Sequence, residues 1–358
     1  MAELRPTIAV VIPVYNKRDW IRRCLDSIQS QTFQAFEACI IDDGSTDGSD
    51  LLAATYTYDP RFRIFRQENR GVSAARNKGI VETTAPLVAF LDADDEWEPG
   101  FLDGVVSLTQ QYPTAAVFAT AYRRCFGPGQ PTDREVVLRL DGRRQCGIVE
   151  RYLRFMPSGD FISSSSVAIR REVLVRERGF PEGVALGEDR DLWARIGIAH
   201  SLAYDPRVLA TYHCWGRTAP SGGARSAVPF PHVVKTLRRL LPEYAANLET
   251  VSSICRYIDS VLLQHAYVLV ARRQRHNLID FLGDETWHQW RYRLTASWLR
   301  IAAALVPLKL LDFVRANVEY VAFRCGWGAT LVVHRTVSCV LEKRDAAASD
   351  AKRECFSN

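Results

Sequence analysis

Within residues 8–108 a short apolar, β-rich run is followed by a stretch with apolar residues at helical spacing, and this happens four times. The pairs are 8–12 with 20–28, 36–41 with 49–54, 62–65 with 72–81, and 87–91 with 101–108. In the first helical stretch the spacing is carried by Trp20, Ile21, Cys24, Leu25 and Ile28. Strand-helix alternation at this density requires parallel strands joined by crossover helices, so the expected fold is α/β with a doubly wound, mostly parallel sheet flanked by helices.

With 358 residues, 47% of them hydrophobic, the chain has enough apolar surface for a real core and is not a disordered protein. After residue 117 the alternation loosens. Residues 127–131 read as a loop, 136–140 and 163–169 as strands, and a helix is expected from Arg171, which together describe the mixed second half of one domain. A linker is expected at 221–231, dividing an α/β domain (1–225) from a mainly helical C-terminal region (226–358) with helices at 233–241, 251–270, 287–299 and 301–320. Its most apolar windows, 261–271 and 301–308, are well short of the ~20 residues needed to span a bilayer.

The formal net charge of +5 is unevenly spread: residues after 230 carry 18 Lys/Arg against 12 Asp/Glu, and the earlier ones 28 against 29. In the tail Trp287, Trp290 and Trp298 lie close in sequence to Arg291, Arg293 and Arg300. Two readings stay open for it, an amphipathic contact with an anionic membrane surface or a plain helical cap with solvated arginines. The nine cysteines are odd in number and contain no C-x-x-C pair, which points away from a disulfide framework or zinc ribbon and toward a reduced, cytoplasmic setting. The apolar stretch near the N-terminus is broken by Pro13 and lacks a small-residue cleavage site, so no signal peptide is expected.

In open α/β sheets ligands bind at the carboxyl ends of the strands, which makes the residues after each run the informative ones. The first run is followed by Pro13-Val14-Tyr15-Asn16, the second by Asp42-Asp43-Gly44-Ser45, and the fourth by Asp92-Ala93-Asp94-Asp95. The stretch FLDADDEWEPG holds five carboxylates in eleven residues, a crowding of like charge that calls for a positive partner. In extended backbone Asp92 and Asp94 project to the same side as hard oxygen ligands, which suits Mg²⁺ or Mn²⁺ shared with substrate phosphates. Residues 43–48 imitate the start of an EF-hand loop, but the twelfth position is Ala54 rather than Glu, and no helix precedes it. A phosphohydrolase with an Asp nucleophile fits a D-x-D strand locally, yet here the pair follows the fourth strand.

Four segments in order, VVIPVYNKRDWIRRCLDSIQSQTFQAFEACIIDDGSTDGS, NRGVSAARNKGI, VAFLDADDEWEP and LGEDRDLWARI, resemble the family 2 glycosyltransferases, inverting enzymes of the GT-A fold that use nucleotide sugars. The resemblance covers residues 7–215 and not the tail. It implies that Pro13 and Tyr15 line the nucleotide base, usually a pyrimidine, with the Tyr15 ring stacked on it, and that Asp43 bonds the base edge. Asp92, with Ala93 beside it, would face the ribose or the ion's water shell, and Asp94 would be the direct ligand of Mg²⁺ or Mn²⁺. The start of the segment 69–79, with Arg70 or Arg76, is a suitable place for phosphate, although Arg76 reads equally as a salt-bridge partner.

By the same resemblance the acids of GEDRDLWARI supply the general base, in the order Asp189, Glu188, Asp191; without it they read as acids in the first turn of a helix. His213 is a further candidate for the ion or the diphosphate, and Trp193 belongs either to the core or to an acceptor floor. The implied partners are a nucleotide-sugar donor, probed first as a UDP-sugar, and a glycan or lipid-linked acceptor of surface polysaccharide synthesis, with no nucleic acid. Two alternatives remain: a nucleotide-sugar-binding scaffold without catalysis, and a Mg²⁺-dependent phosphohydrolase.

Overall fold

The computed structural model describes residues 6–126, 133–158, 161–214 and 231–271. Strand β1 (Ile8–Val14) is buried along its whole length, because β2 (Phe36–Asp42) and β4 (Leu87–Phe90) flank it in parallel and helices cover both faces. A strand with no solvent face reads as a continuous apolar run rather than an alternating one. Its even-numbered residues Ile8, Val10, Ile12 and Val14 join a core with α1 (Ile21–Gln29), α2 (Ser49–Ala54) and α4 (Phe101–Gln111). Ala9 and Val11 join the opposite core, shared with α3 (Val72–Glu82), α5 (Arg171–Arg176) and α6 (Glu188–Ala199). The two-residue period of the strand thus sorts the helices into two layers.

The remaining strands are β3 (Phe62–Arg66), β5 (Glu96–Trp97), β6 (Val117–Cys125), β7 (Arg134–Val136), β8 (Gly147–Val149), β9 (Val167–Arg170) and β10 (Leu202–His213). The sheet runs β3-β2-β1-β4-β9-β6-β10-β5, with β7 added on β6 and β8 on β10. Strands β3, β2, β1 and β4 are mutually parallel, as the alternation predicts. The second half is mixed: β9 is antiparallel to both β4 and β6, while β6 and β10 pair in parallel. The order reverses at β1, with β2 on one side and β4 on the other, so the carboxyl ends of these three strands open onto one crevice. Strand β7 sits earlier than the expected 136–140, and of the expected 163–169 only the part from Val167 is strand, since 164–166 form a 3-10 turn.

Helix α3 approaches β1 very closely. A Cβ added at Gly79 would lie 2.3 Å from Cγ1 of Val11, inside any real contact. Intrinsic propensity favours Ala over Gly in a helix by about 1 kcal/mol. Gly79→Ala is nevertheless expected to destabilise by about 1–3 kcal/mol, the usual cost of overpacking, read as a lower denaturant midpoint at unchanged slope. A midpoint that rises would show that the helix can back away.

In the tail, α7 (His232–Leu240) and α8 (Leu248–Ala271) occupy the expected 233–241 and 251–270, and α8 belongs to a second compact unit. The boundary near 225 and the helices expected at 287–299 and 301–320 lie outside the described residues. No helix among the described residues is long and apolar enough to cross a membrane.

Candidate active site

The crevice is built first by the loops after β1 and β2. Pro13 lies beyond the last β1–β4 pair, Val11 with Phe90, so its missing N–H removes no bond from that ladder. Asn16 takes a left-handed conformation (φ 50°), which turns the chain sharply after Tyr15. The turn is fastened to the second loop bond by bond. Asn16 N–H donates to Ser45 Oγ (3.0 Å), Asn16 Oδ1 accepts from Thr46 N–H (2.9 Å), and Lys17 N–H donates to Ser49 Oγ (2.7 Å). Among the described residues Tyr15 is left 48% exposed, a large aromatic surface beside this turn.

Asp43 is buried and already engaged. Its Oδ1 accepts from Arg70 N–H (2.9 Å) and Gln67 Nε2 (2.7 Å), and its Oδ2 from Gly71 N–H (2.8 Å). Gly71 is the N-cap of α3, so this carboxylate ties down the two residues that lead into the helix. Oδ2 carries one of these bonds and retains a second lone pair toward which a base edge could donate.

The acidic loop after β4 gathers carboxylate oxygens of Asp92, Asp94 and Asp95 within 4.8 Å of one another. Each carboxylate has its own partner. Arg76 donates to Asp92 Oδ1 (2.7 Å), the Lys17 ammonium lies 2.7 Å from Asp94 Oδ2, and Asp95 accepts from Ser165 Oγ (2.6 Å) and His213 N–H (2.9 Å). Arg23 donates to the Asp94 carbonyl (2.6 Å), and Ser165 Oγ also accepts from Asp92 N–H (3.2 Å). Ala93 packs into the apolar core between them. Three hard oxygen donors this close, two of them buried, have the chemistry to hold Mg²⁺ or Mn²⁺.

His213 reaches this loop from the end of β10, but its Nε2 is bonded to Glu96 Oε1 (2.8 Å), a contact that holds the Glu96 carboxyl below its ordinary pKa. Among the described residues the side chains close enough together to share one ion are the three aspartates, while His213 Nε2 is engaged by Glu96.

Helix α6 opens behind Gly187 with Glu188, Asp189 and Asp191 in its first turn. Arg76 joins this helix to the acidic loop. Its side chain is 3% exposed, bonds Glu188 Oε1 (2.9 Å) as well as Asp92, and lies with its guanidinium carbon 5.0 Å from the centre of the Phe180 ring. The position expected as a phosphate ligand or a salt-bridge partner is therefore an interior bridge between two carboxylates.

Asp189 stays partly accessible. Burial of its carboxyl, followed by the like charge of Glu188, pushes its pKa up to about 6 against the opposing pull of Arg76 and Arg190. Asp191 is buried and committed to Arg195 (2.8 Å), which makes it part of the helix framework. Trp193 lies in the core against Phe180, which settles its place between the two readings. Lys17, Arg23, Asp95 and Ser165 escaped the sequence reading. Asp95 stood in view within the acidic run, whereas nothing in the four-serine stretch 163–166 signals a contact with it.

The sheet order with its reversal at β1, carrying an exposed tyrosine, an acidic cluster and a raised carboxyl at one edge, is an α/β fold of the GT-A type. Residues 9–176 match the model of glycosyl transferase family 2, and this segment of the chain belongs to that family. Among relatives, the putative glycosyltransferase EpsH of Bacillus subtilis is 40% identical over 99 residues, 27% of this chain and 29% of its own. An uncharacterized glycosyltransferase of Rickettsia felis is 30% identical over 212 residues, 59% of this chain and 33% of its own. TuaG of B. subtilis, a putative teichuronic acid biosynthesis glycosyltransferase, is 34% identical over 136 residues, 37% of this chain and 54% of its own. The matched segment thus spans about a third of the first two relatives. The crystal structure of S. aureus TarS 1-349 in complex with UDP-GlcNAc superposes with a TM-score of 0.56 at 17% identity, covering 94% of this chain and 92% of that one, a likeness of fold.

Proposed function

We propose that this chain transfers a sugar from a nucleoside-diphosphate donor, with UDP the first nucleotide to test, to a hydroxyl of a glycan or lipid-linked acceptor in polysaccharide synthesis, with inversion at the anomeric carbon. The observation that carries the reading is the juxtaposition at one sheet edge of exposed Tyr15, the Asp92/Asp94/Asp95 cluster and, tied to it through Arg76, the Glu188–Asp189 pair. Tyr15 offers a face for the base, and Asp43 fixes the loop beneath it. Asp94 and Asp92 would hold Mg²⁺ or Mn²⁺, which when bound supplies charge relief to the departing diphosphate.

Asp189 takes the proton of the acceptor hydroxyl as its oxygen bonds to the anomeric carbon and the bond from that carbon to the diphosphate oxygen breaks. One displacement assisted by one base inverts the centre. Arg76 neutralises Glu188, which keeps the like charge beside Asp189 from raising its pKa further.

The test is a melting-temperature panel of nucleotide sugars with and without Mn²⁺, in which a cognate donor raises the transition, followed by determination of the product anomer by NMR. No stabilisation by any nucleotide sugar removes the reading. A pH dependence follows from the base. An acid must lose its proton to serve, so the rate should fall as pH drops through the folded-state pKa of Asp189, about 6 rather than the ordinary 3.8. The acidic limb of kcat/KM is expected near pH 6 with roughly tenfold loss per unit below it; a limb near pH 4 would place the proton elsewhere.

A further inference from the structure

The three carboxylates of the acidic loop do not share one counter-charge, and the partner of Asp94 is mobile by its nature. Arg76 is interior and tied at both ends, whereas Lys17 carries a compact charge on a flexible stem and is 24% exposed against 7% for Asp94. Its backbone is fixed by the Ser49 hydroxyl and by the left-handed turn at Asn16, so the ammonium is delivered to Asp94 by the same bonds that shape the Tyr15 loop. The Trp20 ring, 5.5 Å from the ammonium, offers a second seat close by. The residue foreseen as the direct ion ligand is therefore paired with a cation from the protein itself.

Two cations compete poorly for one carboxylate unless further negative charge arrives. Without nucleotide, a divalent ion entering the cluster meets Lys17 at Asp94 and Arg76 at Asp92, with Arg23 bound to the Asp94 carbonyl. A diphosphate brings the missing negative charge and gives the displaced ammonium a new partner. On the reading given above, we propose that Lys17 is a positioning residue that makes divalent-ion binding depend on the nucleotide: it holds Asp94 in the nucleotide-free protein and yields when ion and diphosphate enter together.

Binding of Mn²⁺, followed by the electron paramagnetic resonance of the free ion, tests this in the full chain and in Lys17→Met and Lys17→Arg, each alone, with UDP and with GDP. The parent protein is expected to bind Mn²⁺ tightly only with a nucleoside diphosphate. Lys17→Met should bind Mn²⁺ without nucleotide at least ~10-fold more tightly than the parent, since a charge within contact distance of the site is gone, and Lys17→Arg should behave as the parent does. A lysine with a merely structural role would give the opposite sign, weaker binding on its removal. Should Lys17→Met not fold, Lys17→Gln supplies the same comparison. Nucleotide-free affinity in the neutral variant equal to or weaker than the parent's, alongside UDP-promoted binding in the parent, overturns this proposal alone. No Mn²⁺ binding to the parent with either nucleotide overturns the metal-dependent reading and this proposal with it.

Discussion

Asp189→Asn should lower the transfer rate by about 10²–10⁴-fold, the range for loss of a general base, while leaving nucleotide-sugar binding within a few-fold of the parent. The substitution keeps the shape of the side chain and can keep the bond accepted from Arg190 N–H. It removes the one property needed, the capacity to take a proton near neutral pH. Removing a carboxyl whose pKa is raised by burial and by Glu188 also relieves like-charge repulsion, so the variant should be no less stable than the parent. Glu188→Gln is the informative contrast. It leaves the buried Arg76 with Asp92 alone and should lower the melting temperature, because breaking one side of an interior ion pair strands charge. Single-turnover transfer, donor affinity by calorimetry and thermal melting separate the two effects; retained transfer in Asp189→Asn would hand the base role to Glu188.

The second large effect is expected at Asp94. Asp94→Asn withdraws a charge from the three-aspartate cluster and should reduce transfer by ~10²–10³-fold, since ion-supplied charge relief is worth several kcal/mol. Unlike the change at Asp189, it should also weaken the ternary complex with Mn²⁺ and the donor. The pattern is thus doubly dissociated: one variant binds and does not turn over, the other loses both. An Asp94→Asn protein with parental Mn²⁺ and donor affinity would move the ion to Asp92 and Asp95, which are held from the far side by Arg76 and by Ser165 and His213.

The parallel half of the sheet was legible because each of its strands is a short apolar run and each crossover helix buries a helical stripe, as Ile21, Cys24, Leu25 and Ile28 do in α1. The acidic cluster was legible for the same reason, since a polar run directly after a buried strand has to lie at the sheet edge. What escaped was pairing across long separations. The antiparallel insertion of β9 between β4 and β6 joins segments whose patterns say nothing of direction. The bridge from Arg76 to Glu188 spans 112 positions, and the bond from Ser165 to Asp95 spans 70. Asp43 shows the converse: its place after β2 was legible, but its engagement with Gln67 and with the N–H groups of Arg70 and Gly71 depends on the loop 67–71 folding back over it.

Strand β10 begins beyond residue 176, yet it pairs with β5, β6 and β8 and ends at the residue whose N–H steadies Asp95. A chain shortened to the stretch that matches the family model would leave the flank of β6 as an open row of unpaired amides and carbonyls, an adhesive edge prone to self-association. It would also lack α6 and with it the proposed base. The smallest self-sufficient piece that carries the whole proposed site therefore has to run at least through His213.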